Sequence, residues 1–288
     1  MDTKELLSKI RKLEIKTKGL TKHFFSGEYH SAFKGRGMAF SEVRDYQFGD
    51  EVKTIDWNVT ARFNEPYVKI FEEERELSVM LIIDVSASEF FGSTDKTKRD
   101  LALELSAVLA FSALSNNDKV GAIFVSDKVE KYIAPGKGRK HALIILRELI
   151  ELKPTGKGTD LSEGLRYFRN TQKKRTIAFI ISDFMDENNF IEGMEISRKK
   201  HDVIAIRLVD EAEKSLPDLG VIQLYNAETE EKTWINSSST DAKKMHYSNY
   251  IHAQESLLND FKRIGIDSCS ISTGEDFIKP LIQMFKNR

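Results

Sequence analysis

Three stretches of this chain are almost continuously apolar: LSVMLII at 77–83, RTIAFIIS at 175–182 and DVIAIRLV at 202–209. A strand with one wet face alternates apolar and polar residues. A continuous run instead marks a strand covered on both faces, as in parallel sheets whose crossover helices lie above and below. The segments between the runs supply such helices. Residues 97–115 place Leu101, Leu105, Val108, Leu109 and Ser112 along one face, and further helical patterns fall at 138–152, from 160 to about 170, and at 188–199. Residues 120–125 read as another strand, with 129–133 as its hairpin partner. A long helix over roughly 241–264, a strand at 267–272 and a helix at 276–286 close the chain. Strands alternating with helices predict an α/β fold of Rossmann-like form, with a mostly parallel central sheet and helices on both faces.

Two segments fall outside that alternation. VIQLYN and KTWIN, around a turn at 227–231, predict a β-hairpin inserted at 221–236. The first third of the chain is different again. Residues 4–15 put Leu6, Leu7, Ile10 and Leu13 on one helical face, predicting an N-terminal helix within 1–18 that docks on its own domain. Residues 19–75 form an aromatic-rich extension in which Phe24, Phe25, Tyr29, Phe33, Phe40, Tyr46, Phe48, Trp57 and Phe63 crowd around five glycines, before a strand at 67–71. So many aromatics favour burial over a linker, so this extension is expected to be an ordered subdomain packed on the core domain, 76–288. Arg36, Arg44 and Arg62 alternate there with Asp45, Asp50 and Asp56, which predicts internal pairing; the alternative is a partner-binding face.

Composition narrows the function. Lys plus Arg number 44 against 45 Asp plus Glu, so no strong global field draws the chain to nucleic acid. The single cysteine, Cys269, excludes an intramolecular disulfide and a cysteine-cluster zinc site, and is expected to be a buried small residue in its strand. The six histidines (His23, His30, His141, His201, His246 and His252) show no metal-ligand spacing. No apolar run reaches bilayer length and the amino terminus lacks a signal-like stretch, so a cytoplasmic address without direct membrane insertion is expected.

In sheets of this kind ligands bind beyond the carboxyl ends of the strands. Three loops fall there: Asp84-Val-Ser86-Ala-Ser88 after the first apolar run, Thr155-Gly-Lys-Gly-Thr159-Asp160 before a helix, and Asp183-Phe-Met-Asp186 after the second run. Together they offer carboxylates and hydroxyls without nitrogen or sulfur, the donor set of a hard cation. Mg²⁺ is the expected ion, with Mn²⁺ or Ca²⁺ as substitutes. Neutral hydroxyls leave such an ion under-neutralised, so it would seek an acidic side chain from a partner. Each loop also has a plain reading: Asp84 and its serines as turn formers, Asp160 as a helix N-cap with Glu163 completing a capping box, and Asp183 and Asp186 as N-caps of the next helix.

Asp84-x-Ser86-x-Ser88, Thr159 and Asp183 match, in order and context, the metal-ion-dependent adhesion site of von Willebrand factor A domains. GRGMAFSEVRDYQFGDEVKTIDWNVTARF (35–63), EPYVKIFEEERELSVMLIIDVSAS (65–88) and the terminal EDFIKPLIQMF resemble a narrower group, the bacterial "domain of unknown function 58" proteins, from about Phe33 onward. That resemblance implies a von Willebrand factor A-like core and a non-catalytic, metal-dependent adaptor or chaperone-like factor. It also implies a partner, a MoxR-type AAA+ ATPase, with membrane-anchored von Willebrand factor A proteins as further partners. Metal ligands at Asp84, Ser86, Ser88, Thr159 and Asp183 are carried over with it. The chain departs from the family pattern at Ala87, where glycine is common, and at Glu89, where Met is usual and a carboxylate now stands near the site.

The rival reading is a Mg²⁺-dependent phosphotransferase or phosphatase with Asp84 as nucleophile. Such sites want a second acid two residues on, where this chain has Ser86. No GxxxxGK[ST] loop, no GxGxxG opening a helix after the first strand and no GxSxG elbow is present.

Overall fold

The computed structural model of the protein describes residues 38–63, 65–73, 77–93, 96–156, 158–186, 188–225 and 231–288. The expected helix at 4–15, and the part of the aromatic-rich extension before residue 38, lie outside these residues. The chain divides into two compact units, 33–77 and a larger one that includes 78–288.

The smaller unit pairs β1 (Met38–Asp45) antiparallel with β2 (Tyr67–Glu73), with an irregularity between Phe40 and Glu42. Between them lies the short helix α1 (Trp57–Phe63). Of the alternating charges, Arg44 and Asp50 pair with one another, while Asp56 meets Lys69 and Arg36 lies outside the described residues. Arg44 donates two hydrogen bonds to Asp50, at 2.7 and 2.8 Å, and Lys69 sits 3.6 Å from Asp56. Phe48, Trp57 and Phe63 are exposed.

The larger unit is built on a six-stranded sheet in the order β10-β7-β6-β3-β4-β5. Its strands are β3 (Ser78–Asp84), β4 (Lys119–Val125), β5 (Val129–Gly136), β6 (Ile177–Ser182), β7 (Asp202–Val209) and β10 (Asp267–Ser272). All neighbours are parallel except the edge pair β4–β5, which is antiparallel as expected from the hairpin pattern. The three apolar runs occupy the centre, β7-β6-β3. Every residue of β6, and all but the first of β3 and β7, is buried.

One sheet face carries Met80, Ile82, Ala178, Ile180, Val203 and Ala205. These pack against Leu161, Leu165 and Phe168 of α4 (Leu161–Thr171), Met194 of α5 (Phe190–Arg198) and Phe261 of α7 (Thr240–Arg263). On the other face lie α2 (Lys98–Ser115) and α3 (Arg139–Glu151), against β4 and one another, while Phe285 of α8 (Ile278–Lys286) meets Phe179 of β6 edge-on. Covering both faces is what permits the continuous apolar strands. The expected single apolar face of α2 is too narrow. Leu101–Leu103 and Leu105–Ala113 are all buried, so the helix is buried nearly all round, as a helix held between layers must be.

The hairpin expected at 221–236 is present as β8 (Val221–Tyr225) paired with β9 (Lys232–Asn236), apart from the main sheet. A short helix, α6 (Glu211–Lys214), follows β7. Cys269 is only partly buried in the edge strand β10, with its thiol pushed up to about 12 by burial.

Candidate metal centre

The first strand of the unit, β3, lies in the middle of the sheet, with β4 on one side and β6 on the other. Connections leaving β3 and β6 therefore diverge and open a crevice beyond their carboxyl ends. Asp84 is the last residue of β3 and Asp183 the first after β6, so both carboxylates stand at this crevice. The 3-10 turn Ala87–Phe90 then brings Glu89 back toward them. One carboxylate oxygen from each of Asp84, Glu89 and Asp183 lies within 4.8 Å of the others, and all three residues are buried.

Hydrogen bonds fix these groups. Asp84 Oδ1 accepts from the Ser86 amide at 2.9 Å and Oδ2 accepts from Ser182 Oγ at 2.7 Å. Ser86 Oγ and Ser88 Oγ are 3.0 Å apart. Asp183 Oδ1 accepts from the Met185 amide at 3.0 Å, while Oδ2 lies 2.5 Å from Nζ of Lys98. Lys98 also donates to Glu213 at 2.7 Å. Glu89 Oε1 accepts from the Asp183 amide at 3.2 Å, and its buried Oε2 has no hydrogen-bond partner among the described residues. The backbone is strained at the centre of this array, because Phe184 adopts φ 58. That conformation costs a non-glycine residue on the order of 1–3 kcal/mol and gathers at functional sites. It is held by the amide bond to Ser182 Oγ at 2.9 Å and by the ring, which packs on Phe190 and Phe261.

The second loop is stitched to the third and to the turn after β4. The Asp160 amide donates to the Ser126 carbonyl beyond β4, and the Leu161 amide to Asp186 Oδ2 at 2.8 Å. Thr159 is buried here, its carbonyl accepting from Asn188. Asp160 is the N-cap of α4, accepting from the Glu163 amide. The N-cap expectation for Asp183 and Asp186 needs correcting: Asn189 occupies that position in α5, and Asp186 instead ties the third loop to the start of α4.

Electrostatics reflect this crowding. Burial, and then the Asp183 carboxylate, push Asp84 up to about 7. Burial, then Asp183 and Asp84, hold Glu89 well above the ordinary carboxylate range. Burial alone would lower Lys98, but Asp183, Glu89 and Glu213 more than reverse it and keep the ammonium charged. With all three carboxylates ionised, the ammonium of Lys98, which Asp183 shares with Glu213, leaves the cluster with an excess of negative charge. An orphaned buried oxygen and excess negative charge among hard oxygen donors fit a divalent hard cation.

Of the residues nominated from sequence, Asp84 and Asp183 converge, Ser86 and Ser88 touch one another beside Asp84, and Thr159 lies buried on the adjoining loop. Sequence reasoning missed Lys98, Glu213 and Ser182. Ser182 ends a buried strand beside Asp183 and was findable by the same rule of strand ends. Lys98 carries no local signal, because its partners are 85 and 115 residues away in sequence.

Fold and rim together define an α/β protein with a mostly parallel central sheet and a buried carboxylate cluster at its topological switch point. The chain belongs to the family described as "Protein of unknown function DUF58", whose model matches residues 42–256. It is 32% identical to an uncharacterized protein of Mycobacterium tuberculosis over 231 residues, 80% of this chain and 73% of the relative. Among solved structures it is similar to an aerotolerance-related membrane protein from Bacteroides fragilis, at 14% identity, covering 74% of this chain and all of that one, with a TM-score of 0.49. It is also similar to the VWA domain of SpRpn10, at 17% identity over 46% of this chain and 75% of that one, with a TM-score of 0.35. Among the described residues no helix is long and apolar enough to cross a membrane.

Proposed function

We propose that this protein is a non-catalytic, metal-dependent protein-interaction module. It would hold a divalent cation, Mg²⁺ by preference, through Asp84, Ser86, Ser88, Thr159 and Asp183, and offer it to an acidic side chain of a partner. The observation that carries the reading is the convergence of three buried carboxylates within 4.8 Å, which the Lys98 ammonium does not neutralise. When bound, the ion supplies Lewis-acid attraction for the partner's carboxylate; the chain's own groups orient and desolvate the site. A protein partner is favoured by the surroundings. Phe90, Phe91 and Met185, adjoining the cluster in sequence, are exposed, and Arg99 lies over the Phe90 ring at 4.6 Å. Exposed apolar groups beside a charged centre suit a protein interface.

The partner class rests on the resemblance of residues 35–88: a MoxR-type AAA+ ATPase in the cytoplasm, with membrane-anchored von Willebrand factor A proteins as further partners. The phosphotransferase reading is disfavoured because Asp84 is 2% exposed and Ser86 stands where such sites want a second acid.

Thermal melts in EDTA and in excess Mg²⁺ test the metal. The ion should raise the melting temperature of the wild type and leave Asp84→Ala unmoved, since a ligand at 100 times its Kd stabilises by about 2.7 kcal/mol. Equal melting of the wild type in both buffers overturns the reading. Co-migration with the ATPase in Mg²⁺ and nucleotide, lost in Asp84→Ala, tests the partner.

A further inference from the structure

Of the six oxygens in the carboxylate cluster, five are already engaged. Both Asp84 oxygens accept hydrogen bonds, from an amide and a hydroxyl. Both Asp183 oxygens do so too, from the Met185 amide and from Lys98. Glu89 Oε1 takes the Asp183 amide. Among the described residues Glu89 Oε2 alone of the six has no hydrogen-bond partner, in a residue that is 0% exposed, and a Glu89 carboxylate oxygen lies within 4.8 Å of its two neighbours. An unpaired buried carboxylate oxygen is costly unless something positive meets it. Lys98 is committed elsewhere, to Asp183 and Glu213.

We propose that Glu89, a residue outside the Asp84-x-Ser86-x-Ser88 motif, is a direct ligand of the divalent cation through its Oε2. This inference rests on the metal-dependent reading above and assigns the site a carboxylate that the motif does not contain. Lys98, shared between Asp183 and Glu213, does not neutralise the cluster, so the third carboxylate is matched by a divalent rather than a monovalent ion. Supplying this carboxylate from within the chain lets the site keep its cation between encounters with a partner.

The test is titration of Mn²⁺ into the full chain, followed by loss of the free-ion paramagnetic resonance signal, for wild type, Glu89→Gln and Asp84→Asn. Glutamine keeps the shape and the Oε1 acceptor for the Asp183 amide, so a merely structural Glu89 predicts unchanged Mn²⁺ affinity. The proposal predicts an affinity weaker by more than the roughly 10–100-fold that losing a group outside the ligand shell costs. The Glu89→Gln melting temperature in EDTA should not fall, because glutamine fills the same space and brings no charge into it, and this separates lost coordination from lost folding. Glu89→Gln binding Mn²⁺ as tightly as the wild type, with Asp84→Asn not binding, overturns the proposal and leaves the metal reading standing. A wild type that takes up no Mn²⁺ overturns both.

Discussion

Lys98 Nζ lies 2.5 Å from Asp183 Oδ2, and both side chains are 1% exposed. The pair joins the first turn of α2 to the end of β6, and Glu213 extends it to α6. An ammonium so deeply placed is tolerated only because carboxylates surround it. Replacing it with methionine would leave Asp183 and Glu213 buried without their counter-charge, which typically costs about 3–5 kcal/mol. Lys98→Met should therefore unfold at markedly lower urea in EDTA. Adding Asp183→Asn should recover part of the loss, because one uncompensated charge is gone. Equilibrium urea denaturation of the wild type and the two variants checks this, and an unchanged midpoint for Lys98→Met would be decisive against the pair's role.

Asp84 and His201 give the metal-free protein opposing pH responses. Asp84 is raised to about 7 in the fold from an ordinary value near 4, so the folded state binds more protons between those limits. Its contribution is fully present below about pH 4 and is lost as pH rises through about 7. His201 is buried against Phe168, with neither ring nitrogen hydrogen-bonded; burial, then Lys200, Arg169 and Arg175, lower it to about 4. Its contribution is present above about 6.5 and is lost as pH falls toward 4. Asp84→Asn should therefore flatten the decline toward pH 7, and His201→Leu the decline below pH 6.5. Denaturation midpoints in EDTA across pH 4 to 8 read both. Cation binding must displace the Asp84 proton, so the Mg²⁺-induced rise in melting temperature should grow from pH 6 to pH 8.

What the sequence disclosed follows from where its signals are local. A strand covered on both faces is apolar throughout, so β3, β6 and β7 were visible as runs, and the residues that end them, Asp84 and Asp183, were visible with them. The same rule points to Asp210, which follows β7 as Asp183 follows β6. Lys98 was hidden because a lysine in the first turn of a helix ordinarily faces water. Its burial is decided by Asp183 and Glu213, which only the folded sheet brings near. The all-round burial of α2 was hidden for a related reason: Ala and Ser positions such as Ala107, Ser106 and Ser112 look neutral in periodicity but are small enough for close packing.

The placement of the Thr159 loop depends on how closely α4 approaches β4. A Cβ on Gly164 would stand 2.5 Å from Cγ2 of Val125, whose β-branched side chain cannot swing aside. Gly164→Ala gains helix propensity of about 1 kcal/mol but forces α4 outward, and overpacking typically costs about 1–3 kcal/mol. The expected net result is destabilisation together with weaker Mg²⁺ binding, since Asp160 and Thr159 sit at the start of the displaced helix. Val125→Ala should rescue Gly164→Ala in the double variant beyond what the single effects predict, because the two side chains compete for one space. Additive effects in thermal melts would remove this account.

Asp210 joins the loop after β3 to the carboxyl ends of β7 and β10. Its carboxylate accepts from the amide and hydroxyl of Ser93, from Thr273 Oγ1 at 2.5 Å and from the Ala212 amide at 2.9 Å. Burial opposes the charge, but these donors win and depress the group to about 2. A depressed carboxylate contributes stability that is present above its unfolded value near 4 and is lost as pH falls through about 2. Asp210→Ala leaves several donors without an acceptor at about 1–3 kcal/mol each where water cannot replace it. The loop that carries Glu89 begins the segment that Ser93 ends, so loosening this staple should also loosen the cluster. Asp210→Ala should lower the urea midpoint at pH 7 and reduce Mn²⁺ affinity, whereas Asp210→Asn, which keeps one oxygen acceptor, should do less of both. If Asp210→Ala lowers stability while Mn²⁺ binds as in the wild type, the staple holds the fold but does not position the rim.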